Sequence, residues 1–128
     1  PQECGPLLSE WLQAEDPTLK PRILTIFAGW GPAAQPWLAA IRHAQTDADP
    51  LVRLEARRAE WRITRVAEPL LEGVVAEFGD DSREVRRAAY LLWRDFGPAR
   101  VLAVPRLNQL AVDPRPDVRR LAAHALWE

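Results

Sequence analysis

Between positions 69 and 78 the apolar residues are Leu70, Leu71, Val74, Val75 and Phe78, a spacing of i, i+1, i+4, i+5 and i+8. On an α-helix that spacing winds into one stripe, whereas a strand would need strict alternation. Leu7, Leu8, Trp11 and Leu12 repeat the stripe, and both copies start on a proline, Pro6 and Pro69. A first helical turn tolerates proline because its missing N–H would have no intrahelical acceptor there. A third copy reads Pro36, Trp37, Leu38 and Ile41, and a fourth reads Val104, Leu107, Leu110 and Ala111. Val101 and Leu102 lie upstream of the fourth copy, so Pro105 is expected inside that helix, with a kink.

A second set of helices alternates with the first. Asp16-Pro17 and Asp49-Pro50 stand 33 residues apart with Ser82 next in phase. These side chains suit the N-cap, and a proline suits the first helical position. Arginine-rich helices are predicted over 51–64, 83–95 and 117–127, with 19–28 as a degenerate first copy. Gly29-Trp30-Gly31-Pro32, Gly79-Asp80-Asp81-Ser82 and Phe96-Gly97-Pro98 read as stops between them. No strand alternation competes. The expected fold is all-α, with eight short helices in four antiparallel pairs.

The same period governs charge. Val52, Val85 and Val118 recur every 33 residues, each followed by an arginine (Arg53, Arg86, Arg119) that lies six residues after an aspartate (Asp47, Asp80, Asp113). A period of this length marks stacked supersecondary units that cannot bury their apolar faces singly. Partly buried charges persist when paired, so these six residues are expected to be a structural ladder. Glu55 and Glu60 stand at the edge of an apolar stripe and are expected to pair with Arg58 or Arg62.

Composition removes several function classes. Seventeen basic residues nearly balance eighteen acidic ones, which gives no bulk attraction to nucleic acid or membrane but leaves room for one basic face. All the basic residues except Lys20 are arginine. Cys4 is the single cysteine, so no internal disulfide forms, and His43 and His124 lie at no ligand spacing from it or from each other. No cofactor and no metal is expected. No run is long and apolar enough to cross a membrane, and the N-terminus lacks the pattern of a signal peptide. A soluble chain is expected; the single cysteine leaves the compartment open, with the cytoplasm favoured. The start on Pro1 and the stop inside an apolar helical pattern suggest a piece of a larger protein.

The stretch from Ala103 through Asp113 and on from Asp117-Val118-Arg119-Arg120-Leu121 to Leu126 resembles the HEAT repeat, in the short form of the phycobilisome-lyase-type repeats. The second repeat keeps Asp47, Asp49-Pro50, Val52 and Arg53. The first keeps Asp16, Leu19 and Lys20, with Ala14 where the ladder aspartate belongs. The resemblance covers the whole chain as a single repeat domain of about four units, 1–30, 31–64, 65–97 and 98–128. It implies a right-handed α-solenoid, an α-α superhelix with first helices on the convex side and second helices on the concave side.

Taking the valine of each arginine-rich helix as the centre of its buried side, about 100° per residue places the residues two, five, six and nine later opposite it. Those positions hold Leu54, Arg57, Arg58 and Trp61; Arg87, Tyr90, Leu91 and Arg94; and Arg120, Ala123, His124 and Trp127. This concave surface is rich in arginine and aromatics, the residue types of binding hot spots, and it holds no carboxylate. Trp61 and Trp127 read equally well as core. The expected function is non-catalytic: a scaffolding module that binds an acidic or extended protein segment through Arg57, Arg58, Trp61, Arg87, Tyr90, Arg94, Arg120, His124 and Trp127. Nucleic-acid binding through the same groove is the alternative, and a structural spacer the third. HEAT-like glycosylases of alkylated DNA bases use concave tryptophans and arginines with an acidic residue. The missing carboxylate counts against that activity here, and no nucleophile or phosphate-loop motif is present.

Overall fold

A computed structural model describes residues 3–14 and 16–128. They are mainly helical, with no strand among them. Eight α-helices follow in order: α1 (Gly5–Gln13), α2 (Lys20–Trp30), α3 (Leu38–Ala44), α4 (Pro50–Thr64), α5 (Glu68–Ala76), α6 (Arg83–Asp95), α7 (Val104–Leu110) and α8 (Pro116–Trp127). Short 3₁₀ turns fill Gly31–Trp37, Glu77–Gly79 and Gly97–Ala103. The chain forms two compact units, one ending at Val66 and the other running Ala67–Glu128.

In the first unit α4 packs against α2, α3 and the Gly31–Trp37 turn. Its core holds Ile23, Leu24, Phe27, Ile41, Val52 and Ala56. Phe27 stacks on Trp37 at 5.9 Å and meets Trp30 edge-on at 5.4 Å. Gly5 opens α1 directly against the Trp37 ring, where a Cβ would overlap the indole. Gly31 ends α2 with φ +60°, a conformation that costs glycine nothing. Glu60 is buried on α4 and accepts from Arg42 Nε (3.1 Å) and Gln45 Nε2 (2.9 Å). Glu60 is thus held by Arg42 and Gln45, partners the sequence did not indicate, while Glu55 pairs along the helix with Arg58 at 3.6 Å.

In the second unit α5 packs on α6 and on the Gly97–Ala103 turn, and α7 packs on α8. Phe78, Leu70, Val74, Leu107 and Val118 are fully buried. Phe78 meets Trp93 edge-on at 6.1 Å.

Two sequence expectations are corrected. Val101 and Leu102 lie in the Gly97–Ala103 turn, and α7 begins afresh at Val104, so Pro105 occupies its first turn instead of kinking a longer helix. The absent N–H costs nothing there. Asp49 and Ser82 cap α4 and α6, accepting from Leu51 N (2.9 Å) and Val85 N (3.4 Å). Asp16 accepts from the Thr18 amide (2.9 Å) and hydroxyl (2.6 Å), but α2 starts only at Lys20, so Asp16 closes a turn and is not the cap.

The periodic charges act on the loops. Arg53 Nη1 donates to the backbone oxygens of Asp47 (2.9 Å) and Ala48 (3.1 Å). Arg86 Nη1 does the same to Asp80 (2.8 Å) and Asp81 (3.0 Å), and Arg119 Nη1 to Asp113 and Pro114 (both 2.9 Å). Each aspartate in turn accepts the amide two residues on: Asp49 to Asp47 (2.8 Å), Ser82 to Asp80 (2.8 Å) and Arg115 to Asp113 (2.9 Å). In each unit an ion pair also joins residues far apart in sequence. Lys20 Nζ meets Asp47 at 2.6 Å, and Arg86 Nη2 meets Asp117 at 3.5 Å. The Lys20 ammonium, followed by the Asp49 amide, holds the Asp47 carboxyl below its ordinary range.

Candidate functional site

Helices α6 and α8 run side by side in the same direction. Arg86 meets Asp117 at 3.5 Å, the Tyr90 ring lies 5.4 Å from His124, and Arg94 reaches Glu128 at 4.0 Å. Both helices therefore advance together along the contact. Between them opens a groove of about 690 Å³. Arg83, Arg86, Arg87, Tyr90 and Leu91 line it from α6, and Asp117, Arg120, Leu121 and His124 from α8. Spacings of three and four residues set each group on one helical stripe.

Four arginines face one aspartate. Asp117 lies 3.5 Å from Arg86 and 3.6 Å from Arg120, so its charge is spent on two guanidinium groups. The expectation of a carboxylate-free surface is thereby corrected. Arg86 is immobilised by its two loop carbonyls, and its side chain is only 11% exposed. Arg83 and Arg87 are exposed and have no acidic partner among the described residues.

The far end of the groove is aromatic. Tyr90 is flanked by Trp93 (6.1 Å, stacked), His124 (5.4 Å) and the Arg94 guanidinium (5.9 Å). Burial, reinforced by the neighbouring Glu128 carboxylate, pushes the Tyr90 hydroxyl up to about 12. Glu128 is held below its ordinary range, chiefly by Tyr90 and then by Arg94. His124 Nε2 lies 3.6 Å from Glu128.

Of the residues singled out in the sequence, Arg87, Tyr90, Arg120 and His124 line this groove together. Arg94 sits at its end, over Tyr90. Trp127 does not join them and is 88% exposed. Arg57, Arg58 and Trp61 lie half-buried on α4 in the first unit, where Leu54 is buried and Trp61 carries Arg65 at 5.4 Å over its ring. Arg83, Asp117, Leu121 and the ladder residue Arg86 line the groove as well and are not among the sequence-predicted positions. Arg83 stands one helical turn before Arg87, and that i, i+4 spacing is the signal for it.

A second hollow, of about 560 Å³, lies in the first unit beside Leu12, Lys20, His43 and Asp47, where Lys20 and Asp47 neutralise each other. No group of three metal-ligating side chains occurs among the described residues, and none of their helices is long and apolar enough to cross a membrane. Comparison with known protein families, with curated proteins and with solved structures returned no match.

Proposed function

We propose that the chain is a HEAT-like α-solenoid module that binds an acidic, extended segment of a partner protein in the α6–α8 groove and catalyses no reaction. The solenoid reading is supported by the loop fastening made alike by Arg53, Arg86 and Arg119. The observation that carries the binding reading is the groove itself: four arginines above an aromatic and aliphatic end made by Tyr90, His124, Leu91 and Leu121. Guanidinium groups donate in forks that match carboxylates, and the apolar end supplies desolvated contact area.

A nucleic acid would need an open aromatic ring for base stacking. Tyr90 is flanked on several sides, and the exposed Trp127 lies outside the groove, which favours a protein partner. The test is fluorescence anisotropy with a labelled Asp/Glu-rich peptide and, separately, a random single-stranded oligonucleotide. The peptide is expected to bind, and the double variant Arg87→Glu, Arg120→Glu to abolish binding. Unchanged binding in that variant, or tighter binding of the oligonucleotide, overturns the reading.

A further inference from the structure

The groove is polarised along its length. Its N-terminal end carries Arg83, Arg86 and Arg87 from α6 with Arg120 opposite, and its C-terminal end carries Tyr90, Leu91, Leu121 and His124. Of these arginines, Arg86 is committed to loop carbonyls and Asp117, and Arg120 shares Asp117 at 3.6 Å. Arg83 and Arg87 are uncompensated neighbours one turn apart. Two like charges at i, i+4 repel, so the arrangement favours an anion able to engage both.

Resting on the partner-binding reading above, we propose that the groove's preferred occupant is a phosphorylated protein segment, its phosphate on Arg83, Arg87 and Arg120 and an apolar side chain on Leu91, Leu121 and His124. The charge argues for phosphate over a lone carboxylate. A phosphomonoester carries about 1.5 to 2 negative charges and three acceptor oxygens, enough for forks from both helices. A carboxylate carries one charge and fills one fork.

The helix rise sets the spacing within the segment. From Arg87 to Leu91, and from Arg120 to His124, four residues at 1.5 Å advance about 6 Å along the groove. From Arg83 and Arg87 together to Tyr90 and Leu91 the mean advance is about 8 Å. Extended chain covers about 3.3 Å per residue. The apolar side chain therefore belongs roughly two or three residues from the phosphorylated one.

The experiment measures anisotropy of labelled Gly/Ser-rich peptides on the 128-residue chain. One carries phosphoserine with phenylalanine three residues away, and others carry serine or aspartate in place of phosphoserine, or phenylalanine eight residues away. The first is expected to bind about tenfold more tightly than the serine and aspartate peptides, a gain typical of added charge-assisted hydrogen bonds. The wide spacing is expected to lose most of the apolar contribution. Arg83→Gln and Arg87→Gln, both at exposed positions, are each expected to erase the preference for phosphate while helical circular dichroism is unchanged. Equal binding of the aspartate and phosphoserine peptides overturns the phosphate assignment and leaves the partner-binding reading standing. Equal binding of the near and wide spacings overturns the two-point register. If none of these peptides binds while the Asp/Glu-rich peptide does, the phosphate assignment alone falls; if that peptide also fails, both readings fall, and a single-stranded oligonucleotide that displaces the phosphopeptide at lower concentration also overturns both.

Discussion

Arg86 donates from one nitrogen to two successive backbone oxygens, those of Asp80 and Asp81, and turns another nitrogen toward Asp117. One side chain thus fastens a loop and forms part of the groove floor. Arg86→Ala is expected to leave two loop carbonyls without their donor and to lower stability by about 1–3 kcal/mol, read as a shift in the denaturation midpoint. Arg119 makes the same pair of bonds from an exposed position, so Arg119→Ala should cost less. Equal costs would contradict the role of burial.

Tyr90 is the only tyrosine in the chain, so absorbance of the phenolate reads it directly. The folded hydroxyl titrates at about 12 against an ordinary value of 10. A raised value means that stability from this group is complete below about pH 10 and is lost as pH climbs toward 12. No phenolate signal is expected until that window, and Glu128→Gln should move its onset downward. A midpoint near 10 in the still-folded protein would refute the burial of the hydroxyl.

Asp47 shifts the opposite way. Its folded carboxyl is held down by Lys20, so the unfolded chain binds the proton more readily, and stability rises with pH through this window. The contribution is present above the unfolded value of about 4 and disappears as pH falls through the folded one. Acid unfolding followed by circular dichroism should therefore begin below about pH 4. Asp47→Asn should flatten the slope there, and an unaltered slope would remove Lys20–Asp47 from the account.

Two glycines on helices are expected to respond in opposite directions to alanine. Gly29 has open space around a Cβ, and Gly29→Ala should stabilise by about 0.5–1 kcal/mol through helix propensity. At Gly5 the Cβ would strike the Trp37 ring, so Gly5→Ala should destabilise. Thermal midpoints of the two variants settle the comparison.

The tryptophans divide as sharply. Trp93 is 2% exposed, and Trp93→Ala should cost about 3–5 kcal/mol. Trp127 is 88% exposed, and its replacement should change stability by less than about 0.5 kcal/mol in chemical denaturation.

Helix starts at Asp49 and Ser82 were legible because a capping side chain and the apolar stripe agree there. The 3₁₀ turns at Gly31–Trp37 and Gly97–Ala103 were not, because Trp37, Val101 and Leu102 continue the apolar pattern into segments that are not α-helical. Rotation from the valines of α6 and α8 marks Arg87, Tyr90, Leu91, Arg120 and His124, which line one groove together. On α4, packing from α2, α3 and the intervening turn buries Leu54, one of the four positions that the rotation sets opposite Val52. Asp117 was missed because the count ran forward from Val118, and Arg83 because it precedes Val85. Both lie on the right stripe when the count runs backward.

The arginine clamp grips Ala48, Asp81 and Pro114 by the same backbone oxygen, although their side chains share no chemistry. Holding a loop by its main chain frees that side chain from any duty to the fold. Position 81 already uses the freedom, reaching Arg115 at 3.2 Å. Positions 48, 81 and 114 therefore form a set of editable sites, where new side chains could be grafted without redesigning the loops that display them.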